Sequence, residues 1–149
     1  MLAYAVYAHA SAWIPAFRIA VPGITMRCQQ SHFANDYTLA ASAHKDTLLV
    51  HVRQGKSDYM VMSDGKLMLS NTLDSNDINE TVYHALNISK QLQLAEGSLE
   101  VMLCGDVNRE QAAVACRFFP RVTLYRGRPL KVATAEMSHV MLHQYATVI

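Results

Sequence analysis

The sequence predicts an α/β fold built on a mixed five-stranded sheet, and three observations within residues 47–126 predict it. Three short apolar runs follow one another at tight-turn spacing. A long amphipathic stretch then separates them from a fourth run, and a second helical stretch separates the fourth from a fifth. Strands joined by tight turns pair antiparallel, whereas strands joined through a helix pair in parallel by a crossover. The order βββαβαβ therefore writes one sheet containing both kinds of pairing.

Each element has a local cause. Leu48, Val50 and Val52 share one face of the first strand, Gly55 with Lys56 is read as the turn, and Tyr59 and Val61 return antiparallel. Asp64 followed by Gly65 is a hairpin signal, because a type I′ turn needs positive φ at both central residues. Leu67, Leu69, Asn71 and Leu73 alternate along a third strand, which residues 74–76 close. Asp77 with Glu80 is spaced as a capping box opening a helix, on which Ile78, Val82, Ala85, Leu86, Ser89 and Leu92 recur as one stripe. Gly97 is the expected stop. Leu99, Val101 and Leu103 form a buried strand. Asn108 with Gln111 caps a second helix through Ala112, Ala115 and Phe119, which Pro120 ends, and Val122 with Leu124 is the last strand. Beyond it Ala133, Met137, Val140, Met141 and Tyr145 stand at helical intervals and predict a final packing helix.

The flanks read differently. Residues 1–17 are apolar enough to imitate an export signal, yet they lack a positive leading segment, and His9, Pro15 and Arg18 interrupt the run. The reading adopted is a strand over residues 3–8, a short helix over 11–20, a break at Pro22 and Gly23, and a strand over 24–29. Residues 31–45 then read as a helix linking this opening to the main block. Residues 1–30 are accordingly expected to be the tail of a preceding lobe or an N-terminal extension, and residues 31–149 a single domain.

Composition narrows the function classes. A chain of 149 residues, 51% hydrophobic and 17% charged, is long enough to bury about 68–70% of its unfolded surface in one core. Thirteen basic against twelve acidic residues leave a net charge of +1, with no basic stripe of the kind that nucleic acid binding requires. The local cluster Arg121, Arg126, Arg128 and Lys131 reads as a solvated rim. No segment reads as a membrane span. The three cysteines, Cys28, Cys104 and Cys116, include no C-x-x-C pair, which points to reduced thiols and a cytoplasmic protein. Cys104 and Cys116 are read as small hydrophobes, and Met60, Met62, Met68 and Met102 as core filler.

Candidate chemistry gathers at strand ends. In helix-flanked sheets ligands bind beyond the carboxyl ends of strands, which singles out Leu103, Cys104, Gly105 and Asp106. Glycine there lets a ligand approach the backbone, and Asn108 opens a helix whose N-terminus favours an anion; the same residues also make an ordinary strand-to-helix turn. Arg53 and Gly55, at the first turn, are the remaining candidates, Arg53 and Lys56 reading equally as solvent-facing strand-end charges. The element order is that of a ribonuclease-H-like half-domain. Active nucleases of that class hold two metal ions with acids that include one from the first strand; Glu80 and Asp106 stand at fitting positions, but residues 47–54 contain no carboxylate. No phosphate-binding glycine loop or dinucleotide fingerprint occurs. His139 and His143 share a helical spacing without the glutamate of a zinc protease motif, so no metal site is expected. Tyr83 and His84 are placed on the helix flank away from the sheet.

The run Leu67-Met68-Leu69-Ser70-Asn71-Thr72-Leu73, then Val82-Tyr83-His84-Ala85-Leu86 with Gln91-Leu92-Gln93-Leu94, then Leu103-Cys104-Gly105-Asp106, resembles a family of uncharacterised bacterial proteins with an actin-like ATPase fold. The resemblance spans roughly residues 24–145. It implies a two-lobed relative of which this chain would hold mainly the second lobe, with Gly105 and Asp106 as the remnant of a turn that approaches adenosine. Actin-like ATPases place an aspartate and a glycine on the first hairpin, where this chain has His51, Val52 and Arg53 and keeps only Gly55. The expectation is a non-catalytic actin-like domain acting in assembly through a protein partner or self-association, without a cofactor. The alternatives are a nucleotide-binding ATPase using ATP with magnesium and, third, a metal-dependent nuclease.

Overall fold

The computed structural model describes residues 13–23, 45–95 and 97–125. Within them the chain forms α1 (Trp13–Ala20), β1 (Thr47–Arg53), β2 (Lys56–Ser63), β3 (Lys66–Asp74), α2 (Ile78–Gln91), β4 (Glu100–Gly105), α3 (Arg109–Ala115) and β5 (Val122–Leu124). The strands expected over residues 3–8 and 24–29, the linking helix over 31–45 and the final helix beyond 126 lie outside the described residues, apart from Lys45.

The five strands make one sheet in the order β3-β2-β1-β4-β5. β1 pairs antiparallel with β2, and β2 with β3, whereas β4 joins β1 and β5 joins β4 in parallel. This is the mixed α/β sheet that the strand and helix order predicts. β1 lies at its centre, which explains the uninterrupted apolar run Leu48, Leu49, Val50, since both faces of a central strand are covered. On one face Leu48, Val50, Tyr59, Val61, Val101 and Leu103 pack against Val82, Ala85 and Ile88 of α2 and Ala112 and Ala115 of α3. On the other, Leu49, Met60, Met62 and Cys104 form a second buried cluster.

The turns and caps show where local chemistry acts and where it is displaced. Asp64 and Gly65 both take positive φ, 48° and 70°, as a type I′ turn requires. The first hairpin turns at Gln54 and Gly55 rather than at Gly55 and Lys56, because β2 begins at Lys56, which stands opposite Arg53. Asp77 caps α2 by accepting from the amides of Asn79 and Glu80, but Glu80 reaches back to Asn76 instead of closing a box on Asp77. Asn108 and Gln111 do form the reciprocal box at α3.

Helix α2 ends well before Gly97. Its cap is Leu92, and Gln93 follows at φ 53°. The amide of Leu94 donates to Ser89 O at 2.9 Å and that of Gln93 to Lys90 O at 3.2 Å, the two bonds of a Schellman motif. A glutamine thus holds the left-handed position that glycine fills at lower cost. Two further expectations change: Met68 is 55% exposed rather than core filler, and Cys116 is exposed rather than packed. Met68 sits where β3 slips register against Val61 and Met62, so the bulge carries it out of the alternation.

Candidate functional site

The sheet aligns one residue from each of four strands into a polar row. His51 of β1 stands directly opposite Asp58 of β2 and beside Cys104 of β4, and Asp58 stands opposite Thr72 of β3. Arg53, two residues beyond His51, belongs to the same face by the alternation of a strand. The Asp58 carboxylate, only 6% exposed, is the hub. It accepts from Arg53 Nη2 at 2.7 Å and from Thr72 Oγ1 at 2.7 Å, and lies 3.1 Å from His51 Nδ1. Burial opposes its ionisation, but the bonds from His51, Arg53 and Thr72, together with the Arg53 charge, outweigh that and hold its pKa down to about 2. Burial, reinforced by the Asp58 charge, pushes the Cys104 thiol up and disfavours its thiolate.

A second polar cluster lies on the helix side. The hydroxyls of Ser57, Ser75 and Thr81 form a closed triangle, with distances of 2.9, 3.1 and 2.9 Å, tying β2 to the start of α2. Tyr59 donates from its hydroxyl to Thr81 O at 3.2 Å, and burial pushes the phenol up to about 12. The ring of His84 meets Tyr59 edge-on at 6.2 Å, so His84 packs toward the sheet, while Tyr83 beside it is 61% exposed.

The four residues singled out from the sequence, Arg53, Gly55, Gly105 and Asp106, do gather where β1 and β4 end side by side. Val52 is in register with Gly105, and the amide of Asp106 donates to Val52 O at 2.8 Å. Gly105 takes φ +85°, and a Cβ there would run into the carbonyl oxygen of Val52 and come within 2.6 Å of the His51 ring. The space that glycine leaves is therefore filled by the neighbouring strand, not open to a ligand. Asp106 is exposed. Gly55 accepts from the amide of Ser75 at 3.1 Å and serves the hairpin turn at φ +72°. Arg53 is committed to Asp58 rather than facing solvent alone, and Lys56 stands 3.6 Å from Asp74.

Sequence reasoning missed Asp58 and its pairing with His51. The signal was present: with the turn set at Gln54 and Gly55, positions 51 and 58 oppose each other on one face. Among the described residues no three His, Cys, Asp or Glu side chains converge as metal ligands. Among them, too, no helix is long and apolar enough to cross a membrane.

Comparison with known proteins bears on the fold. A Bacteroides thetaiotaomicron protein described as having an actin-like ATPase fold and unknown function superposes with a TM-score of 0.68 at 17% identity, covering 74% of this chain and 44% of that one. The chain thus spans less than half the length of that neighbour. Two structures of the Aquifex aeolicus Ppx/GppA phosphatase family align at 16% identity with TM-scores of 0.32, over 62% of this chain and about a third of theirs. No curated protein matches the chain. The actin-like neighbour shows the fold class expected from the strand order. The model of DUF3822, a protein family of unknown function, matches residues 2–116, and the chain belongs to that family.

Proposed function

We propose that this chain is a non-catalytic actin-like domain that works in assembly through protein contacts. The observation that carries the reading is the inward commitment of the polar side chains at the first hairpin. Arg53, His51 and Thr72 all converge on the buried Asp58. A hairpin that holds phosphate and metal needs a carboxylate and donors aimed at open space, yet here the carboxylate, Asp58, is only 6% exposed and its oxygens already accept from Arg53 and Thr72. The fit of ATP and magnesium is poor at the other strand end as well, where the His51 ring and the Val52 carbonyl occupy the space beside Gly105.

The described residues also present contact surface. β3 lies at an edge of the described sheet, and Tyr83 and Phe118 are exposed at 61% and 55%. Exposed aromatic side chains suit partner recognition more than catalysis.

The second reading is a nucleotide-binding ATPase, favoured by the fold of the Bacteroides neighbour and by Asp106 lying exposed beyond β4. Calorimetric titration with ATP and magnesium separates the two. The proposal expects no saturable heat. Micromolar, magnesium-dependent binding that Asp106→Ala abolishes would replace it with the second reading.

A further inference from the structure

We infer that the turn between α3 and β5 is a docking surface, and that its occupant is an acidic segment of a partner protein, held by Arg117 and Arg121 around Phe118. The inference rests on the assembly reading above and names its surface and the chemistry of its partner. β4 and β5 pair in parallel, so α3 runs back between them and sets residues 116–121 where both strands begin. α2 likewise leads back to the start of β4 and brings Lys90, in its last turn, to the same end of the sheet.

The turn is anchored from within. Phe119 is 5% exposed and belongs to the helix-side core, and the amides of Phe118 and Phe119 both donate to Ala115 O at 3.0 Å. On the strand side Arg121 O accepts from the amide of Val101 at 2.9 Å. Between these anchors Arg117, Phe118 and Pro120 are exposed, as is the side chain of Arg121. A backbone fixed at both ends loses little freedom when a partner arrives, and arginine and aromatic side chains are those that dominate contact energies.

Charge identifies the occupant. Ion pairs among the described residues engage His51, Arg53 and Lys56, and none engages Lys90, Arg117 or Arg121. Of the described acids at this end, Asp46 and Glu100 are half-buried, Asp46 accepting from Ser63 Oγ at 2.6 Å, and Asp64 stands beyond β1 at the second hairpin. The exposed acids Asp74, Asp77, Glu80, Asp106 and Glu110 belong to the opposite end of the strands. Lys90 and Arg117 also offset the carbonyl ends of their helices, but that role explains neither Arg121, beyond α3, nor the exposure of Phe118 at 55%. In a chain of net charge +1 these few cations do not neutralise a nucleic-acid backbone, whereas a guanidinium fork matches a carboxylate two bonds at a time.

The test is fluorescence anisotropy with a fluorescein-labelled peptide in which glutamate alternates with leucine, titrated with the wild-type chain and with Arg117→Glu, Arg121→Glu and Phe118→Ser. All three side chains are exposed, so the changes should leave the fold intact, which circular dichroism verifies. The wild type is expected to bind saturably and less tightly as salt rises, and each variant to lose at least about fivefold in affinity. No saturable binding overturns the inference, as does equal affinity in all four proteins or tighter binding of a uridine oligonucleotide than of the peptide. Sedimentation equilibrium of the chain alone covers the remaining occupant, since a dimer lost in Arg121→Glu would assign the turn to a second copy and overturn the inference too. Each such result leaves the assembly reading standing on another surface or partner, because that reading fails only through the nucleotide titration.

Discussion

Replacing Asp58 by asparagine keeps the outline of the side chain and removes its charge. In the native chain the carboxylate accepts from Arg53 and Thr72 at 2.7 Å each and faces His51 at 3.1 Å. Burial raises its pKa, and the bonds from His51, Arg53 and Thr72 with the Arg53 charge lower it further, from 3.8 to about 2. At about 1.36 kcal/mol per pH unit, that drop corresponds to about 2 kcal/mol of folding stability from ionised Asp58. Because the folded value lies below the unfolded one, the contribution is fully present above pH 3.8 and is lost as pH falls through about 2. Asp58→Asn should therefore cost about 2 kcal/mol at neutral pH, with a penalty that shrinks between those two values. Urea unfolding followed by circular dichroism across that pH range measures it. A penalty below about 0.5 kcal/mol at neutral pH, or one that stays constant as pH falls, would refute the claim that Asp58 is the electrostatic hub of the hairpin.

Two further substitutions probe the backbone. Gly105→Ala should destabilise the fold by at least about 2 kcal/mol, since the new Cβ meets Val52 O and the His51 ring at a φ that side chains avoid; unchanged urea unfolding would show that β1 and β4 are not held so close. Gln93→Gly should raise stability by about 0.5–1 kcal/mol in the same assay, because it relieves a left-handed glutamine while keeping the bonds to Ser89 and Lys90.

The sheet was legible in the sequence wherever hydrophobic period and turn chemistry acted together. Leu48, Val50 and Val52 fall on one strand face by their period of two, and Asp64 with Gly65 places the second hairpin because few other residues tolerate that turn. The first hairpin was less readable. A single glycine permits either of two turns: one at Gly55 and Lys56 would set His51 opposite Met60, whereas the turn at Gln54 and Gly55 sets it opposite Asp58. Gly105 was singled out with two readings, a ligand approach or an ordinary turn: a glycine at a strand end signals close approach, and only coordinates reveal that the approaching group is the Val52 carbonyl. The end of α2 was hidden because tertiary packing of Leu94 supports a Schellman turn on glutamine, so the nearest glycine was the wrong marker.

Arg53 is where the structural and the ligand-binding accounts of this hairpin diverge most sharply. Urea unfolding of the wild type and of Arg53→Met, each with and without magnesium-ATP, sets them against each other. With Arg53 bound to Asp58, the substitution should cost about 1–3 kcal/mol, and nucleotide should shift neither unfolding curve. A wild-type chain stabilised by magnesium-ATP, beside an Arg53→Met chain equally stable without nucleotide but no longer responsive to it, would contradict the account.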